Sequence, residues 1–180
     1  MASDRVGVWV DLICELPLQE QATCMLIGAR TCLPVWQNWA RHQGISDQSE
    51  VLIEYFNRWL SHQAKSEELD DVANAFLQTL PSDLRKVADP TGGYAGYALH
   101  TVAMIALGKY EDVHSDMFYT GVLYSAAAFC GVGHEAVWAT EERLTEKELQ
   151  FVRNWWDECC KNFSGLAEKY KKLVISKDNT

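Results

Sequence analysis

The sequence predicts an all-α domain, a bundle of six or seven helices around a buried central helical hairpin, and three observations carry that prediction. Apolar residues recur at three- and four-residue spacing along most of the chain. Two segments, 94–107 and 112–129, are apolar on nearly every side, so both belong inside rather than on the surface. Only 4 prolines and 11 glycines punctuate 180 residues, and no convincing strand or low-complexity run interrupts the helical pattern. A chain of this length buries roughly 70% of the surface its unfolded form exposes, so one hydrophobic core suffices. The whole of 1–180 is therefore read as a single domain, with its best internal boundary at the 82–93 loop.

The elements follow in order. Asp4 caps a first short helix carrying Val8, Leu12 and Leu16, which Pro17 ends because proline disfavours helical geometry in the residue before it. The alternation Val6, Val8, Val10 fits a strand as well, so that reading stays open. In 18–42, Ala22, Met25, Leu26, Ala29, Leu33, Trp36 and Ala40 form the apolar face of a long helix, kinked at Pro34 and stopped by Gly44. Asp47 and Glu50 make a capping box for the next helix, whose stripe is Val51, Leu52, Tyr55, Phe56, Trp59 and Leu60. Ser66 caps a helix with the face Leu69, Val72, Ala73, Phe76, Leu77 and Leu80, and Pro81 ends it. Pro90, Thr91, Gly92 and Gly93 mark 82–93 as a loop with a short helical turn. The two apolar segments then form the central hairpin, with Gly108 at its turn. Gly131, Val132 and Gly133 break the chain, and Thr145 with Glu148 supplies a second capping box. In the last helix, Leu149, Val152, Trp156, Cys159, Phe163, Leu166, Tyr170 and Leu173 keep a strict heptad. An antiparallel bundle uses that seam as readily as a homodimer through 146–173 does. Phe151, Trp155 and Cys160 widen the apolar face and favour the intramolecular use.

No complete catalytic or metal-binding set is readable. Cys14, Cys24, Cys32, Cys130, Cys159 and Cys160 include no CxxC pair and no histidine at zinc-finger spacing, and read as small buried hydrophobes in a reducing cytoplasm. The first residues hold no uninterrupted apolar run of the secretory kind. The 14-residue segment 94–107 is too short to cross about 30 Å of hydrocarbon. Glu111 and His114 form one ExxH pair where carboxylate bundles need two, so no metal is assigned. His100 lies within the nearly continuous apolar helix 94–107. It is either a hydrogen-bonded core residue or the centre of a polar pocket facing Asp116, or Glu135 beside His134. No cysteine sits at a glycine-flanked nucleophile turn, and the 92–96 run lacks the lysine and preceding strand of a phosphate loop. No catalytic residue and no cofactor follow.

Charge is more informative. A formal charge of −9 and a pI near 5.0 argue against nucleic acid or an anionic membrane as partner and favour a basic protein. Residues 1–160 carry 23 acids and 11 bases, while 161–180 carry 2 acids and 5 bases, a basic counterweight. Acidic clusters lie at Glu67, Glu68, Asp70, Asp71 and at Glu141, Glu142, Glu146, Glu148. Each sits at a helix start, where it compensates the dipole or docks a basic partner. Trp36 and Trp39 point nearly the same way, and Trp155 and Trp156 are neighbours, so one of each set is expected at a rim as an interface anchor. The candidate partner-binding residues are Glu67, Glu68, Asp70, Asp71, Trp36, Trp39, Glu141 and Glu142.

The run Ala29-Arg30-Thr31-Cys32-Leu33-Pro34-Val35-Trp36, the segment Phe76-Leu77-Gln78-Thr79-Leu80-Pro81 and the small-residue-rich pair 94–107 and 117–129 resemble two groups of small helical bacterial proteins. One is the helical immunity proteins of polymorphic or contact-delivered toxin systems, and the other is the YjaG-like family. The likeness spans about residues 10–130. It implies a cytoplasmic immunity-type protein that occludes a toxin domain without catalysis. The alternatives are a helical enzyme or small-ligand protein with a pocket around His100, and a self-associating bundle using the last heptad.

Overall fold

The computed structural model describes residues 5–109, 114–131 and 144–177. Among them are eight α-helices and no strand: α1 (Arg5–Cys14), α2 (Leu18–Gln43), α3 (Ser49–Leu60), α4 (Ser66–Leu77), α5 (Thr91–Ala106), α6 (His114–Cys130), α7 (Glu146–Asn162) and α8 (Gly165–Lys177). A 3-10 turn, Leu84–Lys86, lies in the loop between α4 and α5. The all-α bundle is as expected, with one helix more than the upper count. The predicted cap at Asp4 lies outside the described residues.

Helix prevails over strand at the start of the chain, because Val6, Trp9, Val10, Leu12 and Ile13 are the residues buried there, and their steps of 3, 1, 2 and 1 do not alternate as a half-buried strand would. Pro17 separates α1 from α2, and the Gln21 amide donates to the carbonyls of Cys14 (2.9 Å) and Leu16 (2.7 Å), which the end of α1 leaves without helical partners. α2 runs through Pro34 and stops at Gly44, whose φ of 67° is the left-handed geometry a glycine accepts cheaply. Asp47 does not form a capping box with Glu50. Its carboxylate accepts from the Ser49 amide (2.9 Å) and hydroxyl (2.6 Å), while Glu50 accepts from Gln37 instead. Likewise Ser66 is the first residue of α4 rather than its cap, and the Glu68 carboxylate accepts from the Lys65 amide (2.7 Å). The Thr145–Glu148 box is formed, with Thr145 N donating to Glu148 at 2.9 Å and Glu148 N to the Thr145 hydroxyl at 3.3 Å.

α5 and α6 pack as the buried hairpin, with Gly108 at φ 63°, and α2 lies against both, so the centre is three helices rather than two. α3 and α4 cover one side of α5, while α1 and α7 pack against α6 and α2 on the other.

The last predicted helix is two. Phe163 leaves helical geometry (φ −130°, ψ 82°), and Ser164 separates it from Gly165, the first residue of α8. On one continuous helix the fourteen residues from Trp156 to Tyr170 would span roughly 21 Å. Their ring centroids are 5.9 Å apart, and Trp9 stacks on Trp156 at 5.2 Å, so the chain doubles back and the seam residues pack on one another. The uninterrupted 146–173 seam expected of a homodimer does not exist, since a break in backbone geometry leaves heptad spacing in the sequence untouched.

Candidate functional site

The acidic run of α4 is divided by the fold. Leu69, Ala73 and Phe76 turn into the core, which sends Glu67, Glu68 and Asp71 outward. Glu68 is occupied at the helix start, as above. Asp70 is half-buried and ion-paired with Lys109, the residue after the Gly108 turn, which ties α4 to the end of α5. Glu67 and Asp71 have no hydrogen bond or ion pair among the described residues and are exposed. On the neighbouring α3, Glu54 is exposed and Val51 is 45% exposed. Glu141 and Glu142 lie outside the described residues.

Neither tryptophan of α2 is at a rim. Trp36 is fully buried and Trp39 is 6% exposed, which corrects their assignment as interface anchors. The cause is α5: a Cβ on Gly92 would lie 2.0 Å from Trp39, and one on Gly96 2.8 Å from the Trp36 ring, so two glycines one turn apart receive two indoles one turn apart. Each indole N–H is also satisfied at a helix start. Trp36 Nε1 donates to the Asp47 carboxylate (2.9 Å) and Trp39 Nε1 to the Asp89 carbonyl (3.0 Å). Burial pushes the Asp47 carboxyl up, but the donors from Ser49 and Trp36 outweigh it and hold the group below the usual carboxylate range. Asp89 caps α5 as Asp47 caps α3, accepting from the Thr91 amide (3.1 Å) and hydroxyl (2.6 Å). The repeated spacing Asp-x-Ser and Asp-x-Thr was the available signal for both. Trp155 and Trp156 are buried too, at 3% and 6% exposure.

His100 is buried in α5, and its Nε2 has no hydrogen-bond partner among the described residues. Burial, with the Lys109 ammonium, pushes its pKa from 6.5 down to about 4, while Asp70 opposes the shift. His100 is therefore neutral near pH 7. Asp116, Glu135 and His134, its suggested partners, and the Glu111–His114 pair fall outside the residues whose side chains are described.

Two concavities bear on ligand binding. A surface groove of about 700 Å³ runs where α2 passes the start of α5, lined by Pro34, Val35, Asn38, Trp39, His42 and Asp89. There His42 Nδ1 donates to the Asn38 carbonyl at 2.7 Å. The other, between Leu26, Phe56, Leu99 and Val102, has about 10 Å³ of free volume, less than the space one water molecule needs. His100 lines neither. Among the described residues no three histidine, cysteine, aspartate or glutamate side chains converge as a metal site, and no helix is long and apolar enough to cross a membrane. No protein-family model matches the chain, nor does any curated protein or solved structure.

Proposed function

We propose that this chain is a cytoplasmic immunity-type binding protein that neutralises a toxin domain by occlusion, without catalysis. The observation that carries the reading is the outward face of α4, where Glu67 and Asp71 are exposed and make no ion pair among the described residues, on a chain of net charge −9. Carboxylates not engaged within the fold steer a basic partner and keep their full charge for it. The resemblance to helical immunity proteins supplies the class of partner, a basic toxin domain.

The test is binding to the product of the neighbouring gene, measured by stopped flow at two salt concentrations for the wild type and for the double variant Glu67→Lys, Asp71→Lys. Rim charges act on encounter, so the reversal should slow association by about tenfold or more at low salt and flatten its salt dependence, with unfolding unchanged. Equal association rates would remove α4 from the interface. A neighbouring product that does not bind at micromolar concentration would end the immunity reading for that partner.

A small-ligand reading is favoured by a different observation, the groove beside Trp39, whose volume is in the range of ligand sites. It lies apart from the pocket expected around His100, whose suggested partners fall outside the described side chains. In that reading Asn38, His42 and Asp89 would orient the ligand over Pro34 and Val35.

A further inference from the structure

We propose that Cys24 and Cys159 form a redox-modification site, an intramolecular disulfide between α2 and α7 made by exchange with a low-molecular-weight disulfide such as oxidised glutathione. All six cysteines are free thiols in the structure. Of these, Cys24 and Cys159 are both fully buried where α7 crosses α2. The approach is close at two neighbouring points. Trp155 Nε1 donates to the Cys24 carbonyl at 2.8 Å, and the Cys159 thiol reaches the same carbonyl at 3.9 Å. One turn along, Gly28 faces the Trp155 ring, with its absent Cβ 3.3 Å from Cδ1, so α2 offers no side chain to hold the helices apart. The Cys159 sulfur thus already lies against residue 24 before any oxidation, with the thiol on that residue's own carbonyl. Bridging two residues therefore demands little backbone movement, the usual obstacle to forming a disulfide in a folded chain.

The chemistry is two successive exchanges. One thiol loses its proton and its sulfur attacks the small-molecule disulfide, whose S–S bond breaks and releases one thiolate. The second protein sulfur then attacks the mixed disulfide and releases the other. The protein loses two electrons and two protons, and both appear on the two small-molecule thiols. Because both sulfurs are covered, the oxidant meets them only when α7 lifts from α2, so the rate reports that opening. Cys160, next along α7 and half-buried, is the built-in comparison: it is reachable without the opening but is not held against Cys24 in the same way.

Reduced wild-type protein would be incubated with oxidised glutathione, the remaining thiols blocked in denaturant, and the chain digested without reductant for mass spectrometry. The expected product is one Cys24–Cys159 linked peptide pair, in protein lighter by roughly 2 Da. Urea below the unfolding midpoint should speed its appearance, and Cys160→Ala should still form it. The isolated product should unfold at higher urea than the reduced protein, because the bridge closes most of the chain into one loop in the unfolded state. Glutathione adducts on Cys14, Cys130 or Cys160 with no Cys24–Cys159 bond, even in the urea-accelerated reaction, would overturn the proposal. So would a linked product less stable than the reduced protein, which would show that the native geometry does not accept the bridge.

Discussion

Protonation of His100 should be the main source of stability loss between neutral and mildly acidic pH. The imidazole is buried in α5 and its pKa is lowered from 6.5 to about 4. In the unfolded chain it takes a proton near pH 6.5, whereas in the fold it resists until about pH 4. The unfolded state thus binds more protons throughout that window, and stability falls as pH falls through it. With one proton at stake the slope is about 1.4 kcal/mol per pH unit, which amounts to about 2 kcal/mol lost by pH 5 and about 3 kcal/mol by pH 4. Below the folded pKa the loss levels off. Among the described residues, Lys109 and Asp70 are the charged groups acting on the imidazole; Lys109 reinforces the burial and Asp70 opposes it, so Lys109→Met should shrink the loss. Urea unfolding at pH 7, 6 and 5, followed by tryptophan fluorescence, measures the effect for the wild type and for His100→Gln, which cannot titrate. The variant should lose far less stability than the wild type over that range. Parallel curves for the two proteins would refute the reasoning, because the loss would then belong to other groups.

Three core substitutions accompany it. Gly96→Ala places a Cβ 2.4 Å from Leu80 and 2.8 Å from the Trp36 ring, and overpacking of that kind should cost about 1–3 kcal/mol in urea unfolding. Trp156→Ala removes a buried ring stacked on Trp9 and edge-on to Tyr170, and should cost about 3–5 kcal/mol. Phe163→Ala, at a half-buried break between α7 and α8, should cost roughly half of that. Equal losses for the two would mean that Phe163 is packed as deeply as Trp156.

Apolar periodicity was enough to read the helices because burial on one stripe is what holds each of them in place. α2, the α5–α6 hairpin and the Gly108 turn follow from it directly. What periodicity does not record is where the backbone changes direction inside a continuing pattern. From Leu149 to Leu173 the spacing never falters, yet Phe163 leaves helical geometry and Tyr170 returns to Trp156. Burial on opposite faces of a turn can preserve a heptad as well as burial along one straight seam. Trp36 and Trp39 were misplaced for a related reason: their exposure depends on glycines 92 and 96 of a helix more than fifty residues away. The caps erred more locally. Asp47 binds the amide and hydroxyl of the residue two positions on, so it satisfies a different pair of donors from the one a capping box would use.

The candidate site shows why a linear count of charges overstates a surface. Four carboxylates within five residues of α4 look equivalent in the sequence, but helical geometry and the ends of neighbouring elements assign them three different tasks. Glu68 closes the helix start, Asp70 ties α4 to Lys109 beyond α5, and only Glu67 and Asp71 remain without a described partner. They are four residues apart and so share one face of the helix. The proposed docking surface is consequently narrower than the run suggests, and it adjoins Lys109, whose ammonium acts on both Asp70 and buried His100. A basic partner arriving at α4 would compete with Lys109 for Asp70. Any weakening of that ion pair would reach His100 through the same two charges, which makes the buried imidazole a reporter of what binds outside.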